Sequence, residues 1–194
     1  MNRLIFLRHA SLALIQSIMN ALSNNQFMNE IVKKLADSPL YYFKDWKNNN
    51  IPAACAGVYS IYDQHSRFIY IGMAGADLSK EKIDNKIANN KKSGLKDRLG
   101  SHASGYRSGD RFNIYIGDLY VLHHLTRNEI LQISSGETSF DSFIKSYIHE
   151  NLSYRYLITQ NTLVRSLESY IQSFGINGDL PIINSKANNS PVTE

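Results

Sequence analysis

The sequence predicts a mixed α/β (α+β) domain in which a three-stranded antiparallel sheet is flanked by helices. Two observations predict the sheet: a turn-rich tetrapeptide separates two apolar, β-branched runs, and a later segment alternates in polarity. Apolar residues at helical spacing elsewhere predict the flanking helices. With 194 residues, the chain is long enough for one such domain and an appendage.

The appendage is a predicted helical N-terminal extension, residues 1–50. Apolar residues at helical spacing between positions 10 and 36 predict two helices, with a break at Asn24-Asn25. The connector that follows, 37–52, mixes aromatic residues with lysines, among them Trp46 and Lys47. A segment of this composition either stacks nucleic-acid bases or packs its rings onto the domain.

The main domain is predicted to span 51–185, and it begins with a β-hairpin. Its arms are Ala56–Tyr62 and Arg67–Gly72, and the turn between them is Asp63-Gln64-His65-Ser66. If the turn is centred between Gln64 and His65, Tyr59 opposes Tyr70 and Gly57 opposes Gly72. Both phenols then lie on one face of the sheet, and the glycines leave room beside them.

The rest of the domain alternates between predicted helices and one strand. The lysine-rich stretch Met73–Ser93 predicts an inserted helix, or a flap that contacts phosphate. Leu95–Ala103 predicts a short helix that carries Arg98 and His102 one turn apart. The remaining segments are Phe112–Leu122 as the third strand, Ser139–Ile158 and Thr162–Phe174 as helices, and 186–194 as a disordered tail.

These motifs, in this order, resemble the GIY-YIG nuclease family over about residues 55–185. The residues that carry the resemblance are Gly57-Val58-Tyr59, Tyr70-Ile71-Gly72, Arg98, His102, Glu168 and Asn184. The resemblance implies a metal-dependent endonuclease that hydrolyses phosphodiester bonds in DNA, with RNA open as an alternative substrate. It also implies that the motifs converge on one face of the sheet.

The resemblance and the chemistry of phosphodiester hydrolysis give each residue an expected role. Glu168, at the flank of an apolar helical stripe, would hold one Mg²⁺ or Mn²⁺ ion. Arg98 would bind a non-bridging phosphate oxygen. Tyr59 would act as general base and Tyr70 would position water or phosphate. His102 would relay a proton or bind phosphate, and Asn184 would orient neighbouring backbone.

The amino-acid composition is compatible with a DNA-cleaving enzyme but is not specific to one. The net charge of +4 and the pI of about 9.1 suit a polyanionic partner. Cys55 is the sole cysteine, so a disulfide framework is excluded and a cytoplasmic location is expected. The sequence holds no apolar run of membrane-spanning length. One active site cuts one strand, so cutting both would take a homodimer or two sequential nicks.

Two rival functions stay open at this point. The first is a GIY-YIG-like fold that binds nucleic acid but has lost its chemistry. The second is a histidine phosphatase, because Leu4-Ile5-Phe6-Leu7-Arg8-His9-Ala10 resembles the strand-and-Arg-His opening of that family. Tyr42 stands where that family would need an arginine, and no second-histidine segment follows.

Overall fold

The computed structural model describes residues 22–186. Its first element, helix α1, runs through 22–36 without interruption, so the predicted break at Asn24-Asn25 is wrong. Asparagine in a helix costs only a few tenths of a kcal/mol, about 0.7 at most, which tertiary packing outweighs. The remainder of the first predicted helix and the Arg8-His9 segment lie outside the described residues, as do residues 187–194.

The sheet has four antiparallel strands rather than the three predicted, in the order β1-β6-β3-β4. A separate two-stranded parallel sheet pairs β2 with β5. The strands are β1 (Tyr41–Tyr42), β2 (Ala54–Cys55), β3 (Gly57–Tyr62), β4 (Phe68–Ala74), β5 (Ser93–Gly94) and β6 (Ser153–Ile158). The other helices are α2 (Lys80–Ala88), α3 (Leu95–Ser104), α4 (Arg111–Ile116), α5 (Arg127–Ser135), α6 (Phe140–Asn151), α7 (Val164–Phe174) and α8 (Ile182–Lys186).

The hairpin of β3 and β4 exists, but its predicted register is wrong by two residues. Tyr59 lies opposite Gly72, and Tyr70 lies opposite Ile61. The shift arises in the turn, where the buried Asp63 carboxylate accepts hydrogen bonds from the backbone N–H groups of His65 and Arg67. A bulge next to this turn shifts the pairing. A shift of two residues keeps both tyrosines on one face of the sheet.

The third strand was assigned to the wrong segment. The residues predicted as that strand, Phe112–Leu122, instead form helix α4, a following π-helical turn and the start of a 3₁₀ turn. Phe112 and Ile116, one helical turn apart, are both buried. The third strand beside β3 is instead β6, which is formed by the last six residues of the predicted helix Ser139–Ile158; α6 takes up most of the rest.

Two apolar layers cover the faces of the sheet. On one face, Tyr59 and Ile61 pack with residues of α3 and α6, including Leu99 and Ile148. On the other face, Val58 and Ile71 pack with residues of α1 and α7, including Leu35 and Leu167. β4 is an edge strand, and α7 of the second layer packs against it. This packing brings Glu168 of α7 to the backbone of Met73 in β4.

Candidate active site

A buried hydrogen-bonded chain of Tyr59, His102 and Asp110 forms the centre of the site. The Tyr59 hydroxyl lies 2.7 Å from His102 Nε2, and His102 Nδ1 lies 2.7 Å from Asp110 Oδ2. The other oxygen of Asp110 accepts the backbone N–H of Phe112 at 3.0 Å and so caps α4. Tyr59 and His102 are each 1% exposed, so the chain is shielded from bulk water.

The pKa shifts define where the protons lie in this chain. Burial lowers the pKa of His102, although Asp110 opposes the shift, so the imidazole is neutral at neutral pH. Burial alone would raise the pKa of Asp110, but the hydrogen bonds from His102 and Phe112 outweigh it and the net pKa is lowered. With Asp110 ionised, Nδ1 of His102 carries the proton and Nε2 accepts the hydroxyl of Tyr59.

Tyr59 is correspondingly held as a neutral phenol in the resting site. Burial raises its pKa well above the ordinary value, and the nearby Tyr70 adds to the shift. A phenol that donates to a neutral imidazole backed by a carboxylate has the connectivity of a nucleophile–histidine–aspartate triad. The arrangement can therefore move the phenolic proton to His102, with Asp110 stabilising the imidazolium.

Tyr70 is the half-buried member of the tyrosine pair. Its ring centroid lies 6.3 Å from that of Tyr59 and 6.0 Å from that of His102. Burial raises the pKa of Tyr70 to about 12, and the nearby negative charge of Glu168 adds to that rise. Because Tyr59 is almost fully buried, solvent approaches the pair from the side of Tyr70.

Gly72 makes room for this pair. A β-carbon at Gly72 would come within 2.5 Å of Cζ of Tyr59 and 2.9 Å of Cε1 of Tyr70. Any side chain there would push the Tyr59 ring away from His102. Gly72, which was predicted to lie opposite Gly57, lies opposite Tyr59 and has to be a glycine because the Tyr59 ring fills the space beside it.

The charges of Arg98 and Glu168 both influence the pKa values of the tyrosine pair. Arg98 is exposed on α3, one turn before His102, and no carboxylate among the described residues lies within 4.0 Å of it. Its positive charge lowers the pKa of every ionisable group in the cluster: Tyr59, Tyr70, His102, Asp110 and Glu168. The charge of Glu168 in turn raises the pKa values of both tyrosines. The predicted ionisable residues therefore lie close enough to influence one another electrostatically.

Two side chains bond the free edge of β4 and fix its position. Asn184 accepts the N–H of Ile71 at 2.8 Å and donates to its carbonyl at 3.0 Å. Two residues along, the N–H of Met73 donates to the Glu168 carboxylate. Alternate residues of an edge strand direct their N–H groups outward, so the two bonds occupy successive free donors. Asn184 thus holds the backbone of β4 at Ile71.

The donor set of Glu168 fits one divalent ion only if water and substrate complete the coordination. Among the described residues, no three His, Cys, Asp or Glu side chains form a metal-binding group. Glu168 is half-buried, and burial raises its pKa, so a cation beside it would compensate the carboxylate. Mg²⁺ and Mn²⁺ accept such sites because they keep several waters and bind phosphate oxygens.

Sequence reasoning missed Asp110. A sign of it was present: Asp110 lies two residues before Phe112, the first of two apolar residues at helical spacing, which is a typical N-cap position. The prediction of a strand at 112–122 concealed that sign. Asn113, also missed, is fully buried and donates to the carbonyls of Ser101 and Tyr106, which holds the loop before Asp110 against α3.

Comparison of the sequence with models of known protein families found no match, and comparison with curated proteins also found none. Within residues 22–186, no helix has both the length and the apolar character needed to cross a membrane.

Proposed function

We propose that this protein is a metal-dependent endonuclease that hydrolyses phosphodiester bonds in DNA. The observation that carries the proposal is the Tyr59–His102–Asp110 chain, next to an exposed arginine and a half-buried carboxylate. The order of the motifs, which resembles that of the GIY-YIG nucleases, supports the same activity.

Tyr59 is the general base for the attacking water in this proposal. Tyr70 orients that water at the accessible side of the pair. As a water proton passes to the Tyr59 oxygen, the phenolic proton passes to Nε2 of His102, and the hydroxide attacks phosphorus. The resulting imidazolium is stabilised by Asp110, which is 2.7 Å from Nδ1. The proton required by the departing 3′ oxygen comes from solvent.

Arg98 binds the phosphate, and Glu168 provides the metal ligand. The guanidinium offers paired donors to a non-bridging oxygen, where negative charge increases as the hydroxide attacks. When bound at Glu168, Mg²⁺ or Mn²⁺ would supply Lewis-acid stabilisation of the phosphate and of the leaving oxygen. Asn184 supports the chemistry indirectly because it fixes the strand that carries Tyr70.

The test is cleavage of supercoiled plasmid with Mg²⁺, with Mn²⁺ and with EDTA. The wild-type protein should nick in the presence of either metal, while Tyr59→Phe and Glu168→Gln should lose activity. Tyr106→Phe is the matched control, because Tyr106 is 65% exposed and outside the cluster. Absence of metal-dependent cleavage with retained DNA binding would instead assign the protein as a binding module.

A further inference from the structure

A basic cavity lies beside the candidate active site, on the neighbouring face of α3. Its volume is about 360 Å³, within the size range of small-ligand sites, and its walls include Trp46, Lys47, Lys92 and Lys96. Asp97 is the one carboxylate among its lining residues. Against three lysines, this leaves a net positive charge, so an anionic occupant is favoured.

The lysines of this cavity are available to an anion. Lys47 and Lys92 are exposed, and within the described part of the chain none of the three lysines pairs with a carboxylate. Lys96 donates to the carbonyl of Ile51 at 3.0 Å, which fixes its ammonium at the wall. One anchored and two free ammonium groups suit a phosphate backbone, which binds through several contacts.

Trp46 supplies an aromatic surface in the same cavity. One side of its ring packs in the core, with centroids 6.5 Å from Phe43 and 6.2 Å from Tyr154, and the side chain is half-buried. Another part lies over Gly100 of α3, where even a β-carbon would only just touch the ring, at 3.4 Å. The indole is therefore held rigidly and still contributes to the cavity wall.

The cavity adjoins a second cavity that contains Arg98 of the candidate active site. This second cavity has a volume of about 230 Å³, and both cavities are lined by Asp97 and Ser101. The two thus lie on adjoining faces of one helix, whose diameter is about 10 Å. A nucleic-acid strand advances about 3.4 Å per nucleotide when stacked as in a duplex and further when unstacked, so it covers that distance in about three nucleotides at most.

We propose that this cavity binds an unpaired nucleotide of the substrate DNA, within about three nucleotides of the scissile phosphate. The base stacks on Trp46, and the flanking phosphates contact Lys47 and Lys92. A base within a continuous duplex is stacked between its neighbours and cannot occupy the cavity. The proposal rests on the proposed endonuclease function and adds a substrate class: DNA with a single-stranded flank beside the cleavage site.

Trp46 is the single tryptophan of the chain, so its fluorescence reports directly on this cavity. The wild-type protein is titrated in EDTA with partial duplexes that carry a 5′ or a 3′ single-stranded flank, and with a blunt duplex of equal length. We expect one flanked DNA to quench Trp46 and to bind about 5- to 150-fold more tightly than the blunt duplex, the range for one stacked base. An abasic nucleotide at the stacked position should restore the emission.

The lysine contacts are tested with Lys47→Ala/Lys92→Ala, because replacing the packed Trp46 could unfold the protein. The plot of log K against log salt has a negative slope. Loss of two phosphate contacts to a single strand should reduce the magnitude of that slope by about 1.4, so binding becomes less sensitive to salt. The matched control is Lys33→Ala/Lys34→Ala, which removes two exposed lysines from α1. This control should bind the flanked DNA like the wild type.

The outcomes separate this inference from the proposed function. Plasmid nicking with equal affinity for flanked and blunt DNA, or with no change in Trp46 emission, overturns the inference and leaves the endonuclease standing. Quenching by flanked DNA without any nicking supports the binding site and refutes the endonuclease. An effect of the α1 control equal to that of Lys47→Ala/Lys92→Ala also overturns the inference.

Discussion

Asp110→Asn is the sharpest test of the relay, because it changes one charge and keeps the shape. The carboxylate is 5% exposed and accepts from His102 Nδ1 at 2.7 Å. A hydrogen bond to a charged group contributes about 1.5–3 kcal/mol, so its loss should slow cleavage by about 10- to 150-fold. If the new amide donates to Nδ1, Nε2 carries the proton and cannot accept from Tyr59. The loss then approaches about 10⁴-fold, as in serine proteases.

The same substitution should leave the fold almost unchanged. Asparagine is as good an N-cap as aspartate, so the bond to the Phe112 N–H, 3.0 Å long in the wild type, is retained. The rate is measured as nicking of supercoiled plasmid under single-turnover conditions, with the thermal midpoint measured in parallel. Asp118→Asn, on an exposed residue, is the control for the chemical change. A folded Asp110→Asn protein that nicks within about threefold of the wild-type rate would refute the relay.

Four further predictions concern other parts of the site. Glu168→Gln should abolish metal-dependent nicking yet keep affinity for DNA in EDTA; weakened binding in EDTA would contradict its role as metal ligand. Gly72→Ala should destabilise the fold by about 1–3 kcal/mol in urea and stop nicking, because the added carbon displaces Tyr59. Asn184→Ala should cost about 1–3 kcal/mol through its two lost backbone bonds, measured in urea; an unchanged midpoint would refute that role. Stability should fall as pH drops below the ordinary histidine pKa of 6.5, because burial lowers the pKa of His102 and the unfolded chain binds the proton first. A His102→Asn variant should flatten this dependence between pH 5 and 7.5, within about one to two units of that pKa.

Local patterns were sufficient to predict the hairpin, the helix with Arg98 and His102, and the helix with Glu168. In each case the spacing of apolar residues along the sequence indicates which face of the strand or helix is buried. The resemblance then implied which side chains meet, and Arg98 and Glu168 lie close enough to Tyr59 and Tyr70 to shift their pKa values.

Tertiary structure decided which segment completes the sheet. Ser153–Ile158 pairs with β3, although its sequence continues the preceding helix without a glycine or proline to mark the end. Phe112–Leu122 is helical because Asp110 caps it and both Phe112 and Ile116 find a core. Short apolar runs suit either conformation, and the contacts available to them select between the two.

The sequence by itself determined the chemical groups of the site, since residue type and order do not depend on packing. Only the tertiary structure decided which of these groups contact one another. Asp110 reaches His102 because a buried asparagine holds the intervening loop, and the exact opposition of Tyr59 to Gly72 depends on hydrogen bonds within a turn. The bonds of Asn113 and the hydrogen bonds in the turn are long-range or side-chain interactions. They do not recur at regular intervals along the chain, so the sequence pattern does not predict them.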